Sequence, residues 1–253
     1  MKVLLLAGSG EARALARKLA AMAGVTAVAS LAGATRDPAP LALPTRRGGF
    51  GGAAAQAAYM RDQGFDAVID ATHPFASRIK ARTATIAAEM GLPLVHVIRP
   101  PWRPGPGDRW TEVSDFAHAP RYIPPGAVVF LATGRGSLDA FAPLVGRRLI
   151  SRQINPPDAP FPWPGGQYLV GRPPFSQADE VALFRRLEVD WLVVKNAGGE
   201  GARAKLQAAR ALGLPVLMLA RPAPPQGAVV DSVAGALSWL AERRRGESGC
   251  AAR

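Results

Sequence analysis

Residues 65–76, FDAVIDATHPFA, join a short apolar strand to the start of a helix, and this junction decides the fold class. The first five residues are an apolar run of strand length, and the Ala-rich segment 76–90 has apolar residues at helical spacing. Ligands bind at the carboxyl ends of strands in open α/β sheets. We therefore expect Asp70, Thr72 and His73 to face a cleft. The alternative is that Thr72 or His73 only caps a helix whose first residue is the following proline.

Segments of strand length alternate with segments of helical period along most of the 253 residues, which is the βαβ signature of a mainly parallel sheet. Four prolines and two glycines in residues 99–108 interrupt this pattern and indicate a linker between two domains. We predict an α/β protein with two Rossmann- or flavodoxin-like domains, mainly parallel sheets and a ligand cleft between the domains. The predicted parts are a first α/β domain over 1–98, a Pro/Gly-rich linker over 99–111, a second α/β domain over 112–242 with helices at 139–144 and 233–243, and a basic tail over 243–253.

The charge balance points to an anionic partner, because 31 Lys and Arg stand against 19 Asp and Glu, a net charge of +12. Nucleic acid is one such partner, but the basic residues are dispersed and the aromatics do not alternate with them as a stacking platform requires. A polyacidic small molecule fits the same surplus. The scattered histidines predict no metal site, and the single cysteine, Cys250, is consistent with a reducing cytoplasm. No apolar run approaches the roughly 18–20 residues of a transmembrane helix.

A glycine turn follows the first apolar strand, in the sequence Gly8-Ser9-Gly10-Glu11-Ala12. A strand, a glycine turn and a helix start together form an arrangement in which backbone amides and the helix dipole receive a phosphate. The dinucleotide fingerprint is matched only in part, since Arg13 stands at the third glycine position. A plain tight turn is the alternative interpretation.

The end of the second strand bears on the choice between NADH and NADPH. An NAD site places Asp or Glu there for the ribose hydroxyls, whereas this chain has Ser30, followed by Arg36, Arg46 and Arg47. A hydroxyl and nearby guanidinium groups would hold a ribose 2′-phosphate, which an acidic residue would repel. The pattern favours NADPH, and the alternative is that these arginines are only surface residues.

The second half of the chain repeats the strand-to-glycine-turn theme twice. Gly134 and Arg135 follow one apolar run, and Lys195 ends another. A lysine at the end of so apolar a strand is costly unless it meets an anion or a carboxylate. The glycine-rich loop after it leads to Arg203 and Lys205, which together resemble an anion site, although such residues are often only solvated.

Three further residues at the linker and at a strand end could contact a conjugated acid. Arg99 and Arg152 carry guanidinium groups that match carboxylates, and the indole of Trp102 offers a flat surface for a conjugated ring. Trp102 could equally be a hydrophobic residue that pins the linker.

The chain resembles the precorrin-6A reductase family of cobalamin biosynthesis over its full length. The resemblance rests on the segments and residues 8–12, 70–76, Arg99-Pro100 with Trp102, 133–135, Arg152, Lys195-Asn196 and 198–205. It implies an NADPH-dependent oxidoreductase that reduces one carbon–carbon double bond of the precorrin-6A macrocycle to give precorrin-6B. Such a substrate carries many acetate and propionate groups, consistent with the positive surplus.

The resemblance and the residue patterns together give a set of expected contacts. His73 is the candidate proton donor or positioning residue, with water or a substrate carboxylic acid as alternative donors. We expect a cytoplasmic enzyme, a monomer, without nucleic-acid or membrane partners. The expected cofactor-binding residues are Gly8, Ser9, Gly10, Glu11, Ala12, Ser30, Thr72, Pro74, Phe75, Gly134 and Lys195, and the expected substrate-binding residues are Arg99, Trp102, Arg135, Arg152, Arg203 and Lys205.

Two other functions remain open at the level of sequence. A cofactor-free tetrapyrrole enzyme resembling uroporphyrinogen-III synthase would also have two similar α/β domains, but it predicts no stabilisation by NADPH. A basic nucleic-acid-binding protein is supported by charge alone, and salt-dependent binding to DNA would favour it.

Overall fold

A computed structural model describes residues 1–33 and 38–250, and these divide into two compact units. Unit 1 comprises Met1–Pro100 with Pro222–Arg253, and unit 2 comprises Pro101–Arg221. Each unit holds one sheet of six parallel strands with helices in the connections, which confirms the predicted α/β class. No helix in the described ranges is long and apolar enough to cross a membrane.

The sheet of unit 1 is ordered β12-β5-β4-β1-β2-β3, with numbers in chain order. Side chains alternate across β1, so that Val3 and Leu5 enter one core while Leu4 and Leu6 enter the core on the opposite face. Both faces are therefore covered, as expected for a parallel sheet. The strands are β1 Lys2–Ala7, β2 Thr26–Leu31, β3 Thr45–Arg47, β4 Ala67–Ala71, β5 Leu94–Val97 and β12 Ala228–Val230, and the helices are α1 Gly10–Ala20, α2 Ala53–Asp62, α3 Ser77–Glu89 and α6 Val233–Cys250.

The sheet of unit 2 has the corresponding order, β6-β11-β10-β7-β8-β9. Phe130 and Leu192 pack on one face, and Leu131 and Val193 pack on the other. The strands are β6 Arg109–Val113, β7 Val128–Ala132, β8 Arg148–Gln153, β9 Gln167–Val170, β10 Trp191–Lys195 and β11 Pro215–Leu219, with α4 Gln177–Arg186, α5 Ala204–Leu212 and 3-10 helices at Phe116–Arg121, Arg135–Leu144 and Glu200–Ala202.

The structure corrects the predicted domain boundaries. The C-terminal segment belongs to unit 1, because β12 pairs with β5 and α6 places Ala236, Trp239 and Leu240 in the core of the first sheet. The predicted linker is shorter than expected, because its last residues form the start of β6, which pairs with β11. The predicted helix at 139–144 is part of a longer 3-10 helix that contains Pro143. The predicted basic tail continues α6 to Cys250, and its last three residues lie outside the described ranges.

Candidate functional site

Each sheet reverses its strand order once, and the carboxyl ends of the two central strands meet there. In unit 1 this first switch point consists of residues 8–12 after β1 and residues 72–76 after β4. In unit 2 the second switch point consists of residues 133–137 after β7, of Lys195 at the end of β10 and of residues 196–201 after it. Open α/β sheets bind ligands at such positions.

The two loops of the first switch point touch through Gly8. A Cβ placed on Gly8 would lie 3.6 Å from the Cα of Thr72 and 3.6 Å from the backbone nitrogen of His73. Ser9 ties the loops further, because its Oγ donates a 2.8 Å hydrogen bond to the carbonyl of Ala71. The same oxygen accepts from the backbone N–H of Ala12 at 3.2 Å and so caps α1. The predicted strand, turn and helix start are thus present.

Glu11 lies in the first turn of α1 and is paired with Arg99. The carboxylate oxygen Oε2 accepts a hydrogen bond from the Arg99 guanidinium at 2.6 Å. Burial opposes ionisation of Glu11, but its own backbone amide and the charge of Arg99 outweigh burial and hold its pKa below the usual value. Arg99, which we predicted to bind substrate, therefore contributes to the first switch point by holding an acid at the helix start.

Asp70 is fully buried, so the prediction that it faces a cleft is wrong. One oxygen accepts from the backbone N–H and the hydroxyl of Thr72, at 2.9 and 2.7 Å. The other lies 2.9 Å from Nδ1 of His96 and 3.2 Å from Nζ of Lys80. Burial alone would raise the pKa of Asp70, but His96, Lys80 and Thr72 together lower it below its usual value. Asp70 belongs to a buried ionic cluster, and through its hydrogen bonds it fixes the loop that follows β4.

The loop after β4 differs from the predicted capped helix. Helix α3 begins at Ser77, and its N-cap, Ala76, has no side-chain capping bond. Thr72 bonds back to Asp70, and Nδ1 of His73 accepts from the backbone N–H of Phe75 at 3.2 Å. Neither residue is therefore a helix cap. Pro74 is buried, whereas Thr72, His73 and Phe75 are partly exposed, with the rings of His73 and Phe75 5.9 Å apart.

The structure brings together Ser30 and one of the three predicted arginines. Arg46 on β3 donates to the hydroxyl of Ser30 at 2.9 Å and to the carbonyls of Gly48 and Gly49 at 3.0 Å. Its guanidinium also lies 4.0 Å from the centre of the Phe50 ring. Arg46 thus orders the loop beside the end of β2. Arg47 is exposed on the same short strand, and Arg36 lies outside the described residues.

The second switch point places Lys195 close to the glycine turn after β7. Its Nζ donates to the hydroxyl of Ser137, which itself donates to the carbonyl of Thr133 at 3.3 Å. Burial lowers the pKa of Lys195. Gly134 has a φ of +80°, a conformation that side chains rarely adopt, and the turn leads into a 3-10 helix.

Trp102 does not present a free ring, so its prediction as a substrate platform is corrected. Its side chain is 9% exposed and packs in the core of unit 2. The buried side chain of Asn196 accepts from the backbone N–H of Trp102 at 2.9 Å and donates to its carbonyl at 3.1 Å. The indole N–H donates to the carbonyl of Gly199 at 2.9 Å. Trp102 is the hydrophobic residue that pins the linker and fixes the loop after β10.

Arg152 is buried and is neutralised by a residue that sequence reasoning missed. Its guanidinium makes two hydrogen bonds to the carboxylate of Glu180, at 2.9 and 2.7 Å, and lies 4.3 Å from the centre of the Phe175 ring. Glu180 could have been found from its spacing, because it lies four residues before the buried Phe184 on α4. Both residues of this bidentate pair, Arg152 included, line a cavity.

The other predicted cations differ in exposure. Arg135 is exposed and pairs with Asp158 at 2.8 Å, and Arg203 is exposed and pairs with Glu200 at 2.9 Å. Lys205 is partly buried and lines the same cavity as Arg152. Arg221, another residue that sequence reasoning missed, donates to the carbonyls of Asn196 and Ala197 and supports the loop after β10.

Comparison with known proteins decides the family. Residues 2–241 match the family model described as precorrin-6x reductase CbiJ/CobK. The chain belongs to the precorrin-6x reductase family. The precorrin-6A reductase of Rhodococcus erythropolis is 48% identical to it over 94% of this chain and 97% of the relative. That of Rhodobacter capsulatus is 42% identical over 95% and 96%.

A solved structure, titled CobK precorrin-6A reductase, superposes with a TM-score of 0.91 at 42% identity over 96% of both chains. These matches confirm the predicted resemblance, the α/β fold and the assignment to oxidoreductases. Membership in the precorrin-6x reductase family leaves no support for the uroporphyrinogen-III-synthase-like and nucleic-acid-binding alternatives.

Proposed function

We propose that this chain reduces one carbon–carbon double bond of precorrin-6A, with NADPH as the hydride source, to give precorrin-6B in cobalamin biosynthesis. The observation that carries the proposal is the match of residues 2–241 to the precorrin-6x reductase family, with precorrin-6A reductases among its curated relatives. The net charge of +12 is consistent with a substrate that carries several carboxylates.

The residues at the first switch point fit a dinucleotide phosphate. The first amides of a helix have no carbonyl acceptors within it, and the dipole of α1 favours negative charge at Gly10; the amide of Ala12 donates to Ser9 and that of Glu11 to its own carboxylate. A Cβ on Gly10 would meet nothing within 4 Å, so the space beside the helix start is open to a ligand. We assign the pyrophosphate to residues 8–12. Ser30 and Arg46 are the assigned contacts of the 2′-phosphate, and Gly134 and Lys195 stay predicted contacts of the cofactor.

The loop 72–75 is the proposed neighbour of the nicotinamide. NADPH, when bound, supplies a hydride for transfer to an electrophilic carbon of the macrocycle. The contact of this loop with Gly8 holds it beside the phosphate turn, and Asp70 fixes Thr72 from beneath. Orienting the reactants in this way removes part of the entropic barrier, on the order of several kcal/mol.

His73 is proposed to position the reacting groups, and it stays a candidate for the proton transfer to the adjacent carbon. Because the amide of Phe75 donates to Nδ1, the neutral ring carries its proton on Nε2. A neutral imidazole N–H is a good hydrogen-bond donor but a weak acid. Proton delivery by His73 would require a protonated ring and release of the Phe75 amide, so water and a substrate carboxylic acid stay alternative donors.

Two measurements on the full chain test the proposed function. Saturating NADPH, at about 100 times its dissociation constant, should stabilise the protein by about 2.7 kcal/mol, and NADH should stabilise it less. Anaerobic incubation with precorrin-6A should then consume NADPH in a one-to-one ratio with the loss of substrate. Absence of both effects would contradict the proposal, and loss of substrate without NADPH would favour a cofactor-free enzyme. The cytoplasmic location and the monomeric state stay predictions.

A further inference from the structure

Unit 2 contains a cavity of about 180 Å³ near the carboxyl ends of β7 and β8. Its apolar lining includes Ala132, Phe175 and Ala202, and its charged lining consists of Arg152, Glu180 and Lys205. The start of α5 forms part of the wall, because Lys205 is the second residue of that helix. The cavity therefore combines hydrocarbon surface with a small group of charges.

The charges in this cavity are unevenly compensated. Arg152 is held by both oxygens of Glu180, so that pair is internally neutral. Lys205 has a single hydrogen-bond acceptor in the described part of the chain, the carbonyl of Ala202 at 2.8 Å. The three groups thus leave one net positive charge, located on an ammonium that retains unused N–H donors. Gln153 also lines the cavity, and its buried amide nitrogen has no partner among the described residues.

The geometry points to this cavity as a subsite for one carboxylate of the substrate, with Lys205 as the group that binds it. This inference rests on the proposed function, which supplies a substrate bearing acetate and propionate groups. A single net positive charge matches a monoanionic carboxylate better than a phosphate dianion, which it would leave half compensated. The apolar lining suits the methylene groups that carry such a carboxylate. Glu180 is a positioning residue, because it neutralises Arg152 through two hydrogen bonds and leaves Lys205 as the cation that compensates the carboxylate.

The protonation of Lys205 gives the subsite a recognisable pH dependence. Burial, together with the charge of Arg152, lowers the pKa of Lys205 to about 8, and the charge of Glu180 opposes this shift. The remaining charges on the neighbouring loop, Glu200 and Arg203, pair with each other in solvent. Lys205 is therefore mainly charged at neutral pH and loses its charge as the pH rises through about 8. Carboxylates stay ionised over this range.

Steady-state kinetics between pH 6.5 and 9.5 test the assignment through the KM for precorrin-6A. Lys205→Met should raise that KM roughly 10- to 100-fold at neutral pH, with kcat and the KM for NADPH within about threefold of wild type. The wild-type KM should rise above about pH 8, whereas Lys205→Arg should keep it low, because guanidinium stays charged. Lys18→Met, at an exposed position on α1, controls for the general loss of positive charge and should change neither KM.

Labelling provides a second readout that does not depend on activity. At pH 8 an amine-directed reagent should modify Lys205, and precorrin-6A should protect it without protecting Lys18, as followed by peptide mass spectrometry. Sodium propionate at high concentration is a second probe of the cavity. Protection by NADPH alone would overturn the carboxylate assignment in favour of a cofactor phosphate.

The two proposals fail in different ways. An enzyme that reduces precorrin-6A but keeps its KM in Lys205→Met contradicts the subsite and leaves the function intact. An enzyme that does not reduce precorrin-6A contradicts the proposed function, and protection of Lys205 by propionate then still decides whether the cavity binds a carboxylate. Unprotected Lys205 under every probe would overturn the subsite.

Discussion

The two switch points share one strand order. They differ in the charged groups that they contain and in the type of helix that follows the first of the two strands. At the first, Ser9 caps a regular α-helix, and the buried ions, Asp70 above all, are compensated within the protein. At the second, Gly134 opens a 3-10 helix, and the cation Lys195 ends a strand. Equal strand order therefore brings the same strand ends together in both units, but the first switch point offers backbone amides at a helix start, whereas the second contains the ammonium group of Lys195.

The largest expected effect comes from breaking the buried cluster beneath the first switch point. Asp70→Asn leaves Lys80 and His96 without their carboxylate and should cost about 3–5 kcal/mol of unfolding free energy at neutral pH, measured by urea denaturation. The folded-state pKa of Asp70 is lowered, so its contribution is present above the ordinary pKa of about 4 and is lost as the pH falls through the folded pKa. The variant and the wild type should therefore converge in stability in acid.

Two further substitutions give reference values for this loss of unfolding free energy. Asp62→Asn, at the exposed last residue of α2, should change the unfolding free energy by less than about 0.5 kcal/mol. Glu180→Gln removes a buried carboxylate of unit 2 and should cost about as much as Asp70→Asn. If Asp70→Asn lowers the unfolding free energy no more than the exposed control Asp62→Asn does, the buried cluster does not hold the loop.

His73 is the next residue by expected effect, and it separates positioning from acid catalysis. His73→Ala should lower the rate constant for reduction of bound precorrin-6A roughly 10²-fold in single-turnover assays. His73→Gln retains an N–H donor but cannot deliver a proton, so recovery of most of the lost rate would establish positioning. If Gln is as slow as Ala and the wild-type rate falls with deprotonation of a group near neutral pH, His73 is the acid. Near-normal turnover in His73→Ala would remove it from both roles.

The two glycine turns can be compared directly, because Gly10 and Gly136 both have open space where a Cβ would stand. Gly10→Leu should leave the fold intact and raise the NADPH dissociation constant on the order of 10- to 100-fold, because a side chain at the start of α1 obstructs the phosphate. Gly136→Leu, in the first turn of the 3-10 helix after β7, should change this dissociation constant by less than about threefold. The reverse result, measured by isothermal titration calorimetry, would move the pyrophosphate to the second switch point.

The alternating pattern was sufficient to predict two parallel sheets and the strand that enters each switch point. The assignment of residues 222–250 to unit 1 was not predictable in the same way, since β12 depends on pairing with β5, far away in sequence. Asp70 was misjudged because its buried partners, Lys80 and His96, come from other elements. The role of Trp102 could not be decided from the sequence for the same reason, because Asn196 and Gly199 fix its orientation. Local periodicity predicts helices and strands, whereas the burial of a charge or a ring depends on partners that are distant in the sequence.

The smallest expected effect concerns the choice of cofactor at the end of β2. Ser30→Asp would give Arg46 a carboxylate partner in place of a hydroxyl and would bring negative charge to the proposed 2′-phosphate contact. The preference for NADPH over NADH, measured as the ratio of kcat/KM values, should fall roughly tenfold, the size of one charge-assisted hydrogen bond. Thr26→Asp adds the same charge at the exposed, opposite end of the strand and should leave the ratio unchanged. An unaltered ratio in Ser30→Asp would mean that Arg46 only orders its loop and that the 2′-phosphate is bound elsewhere.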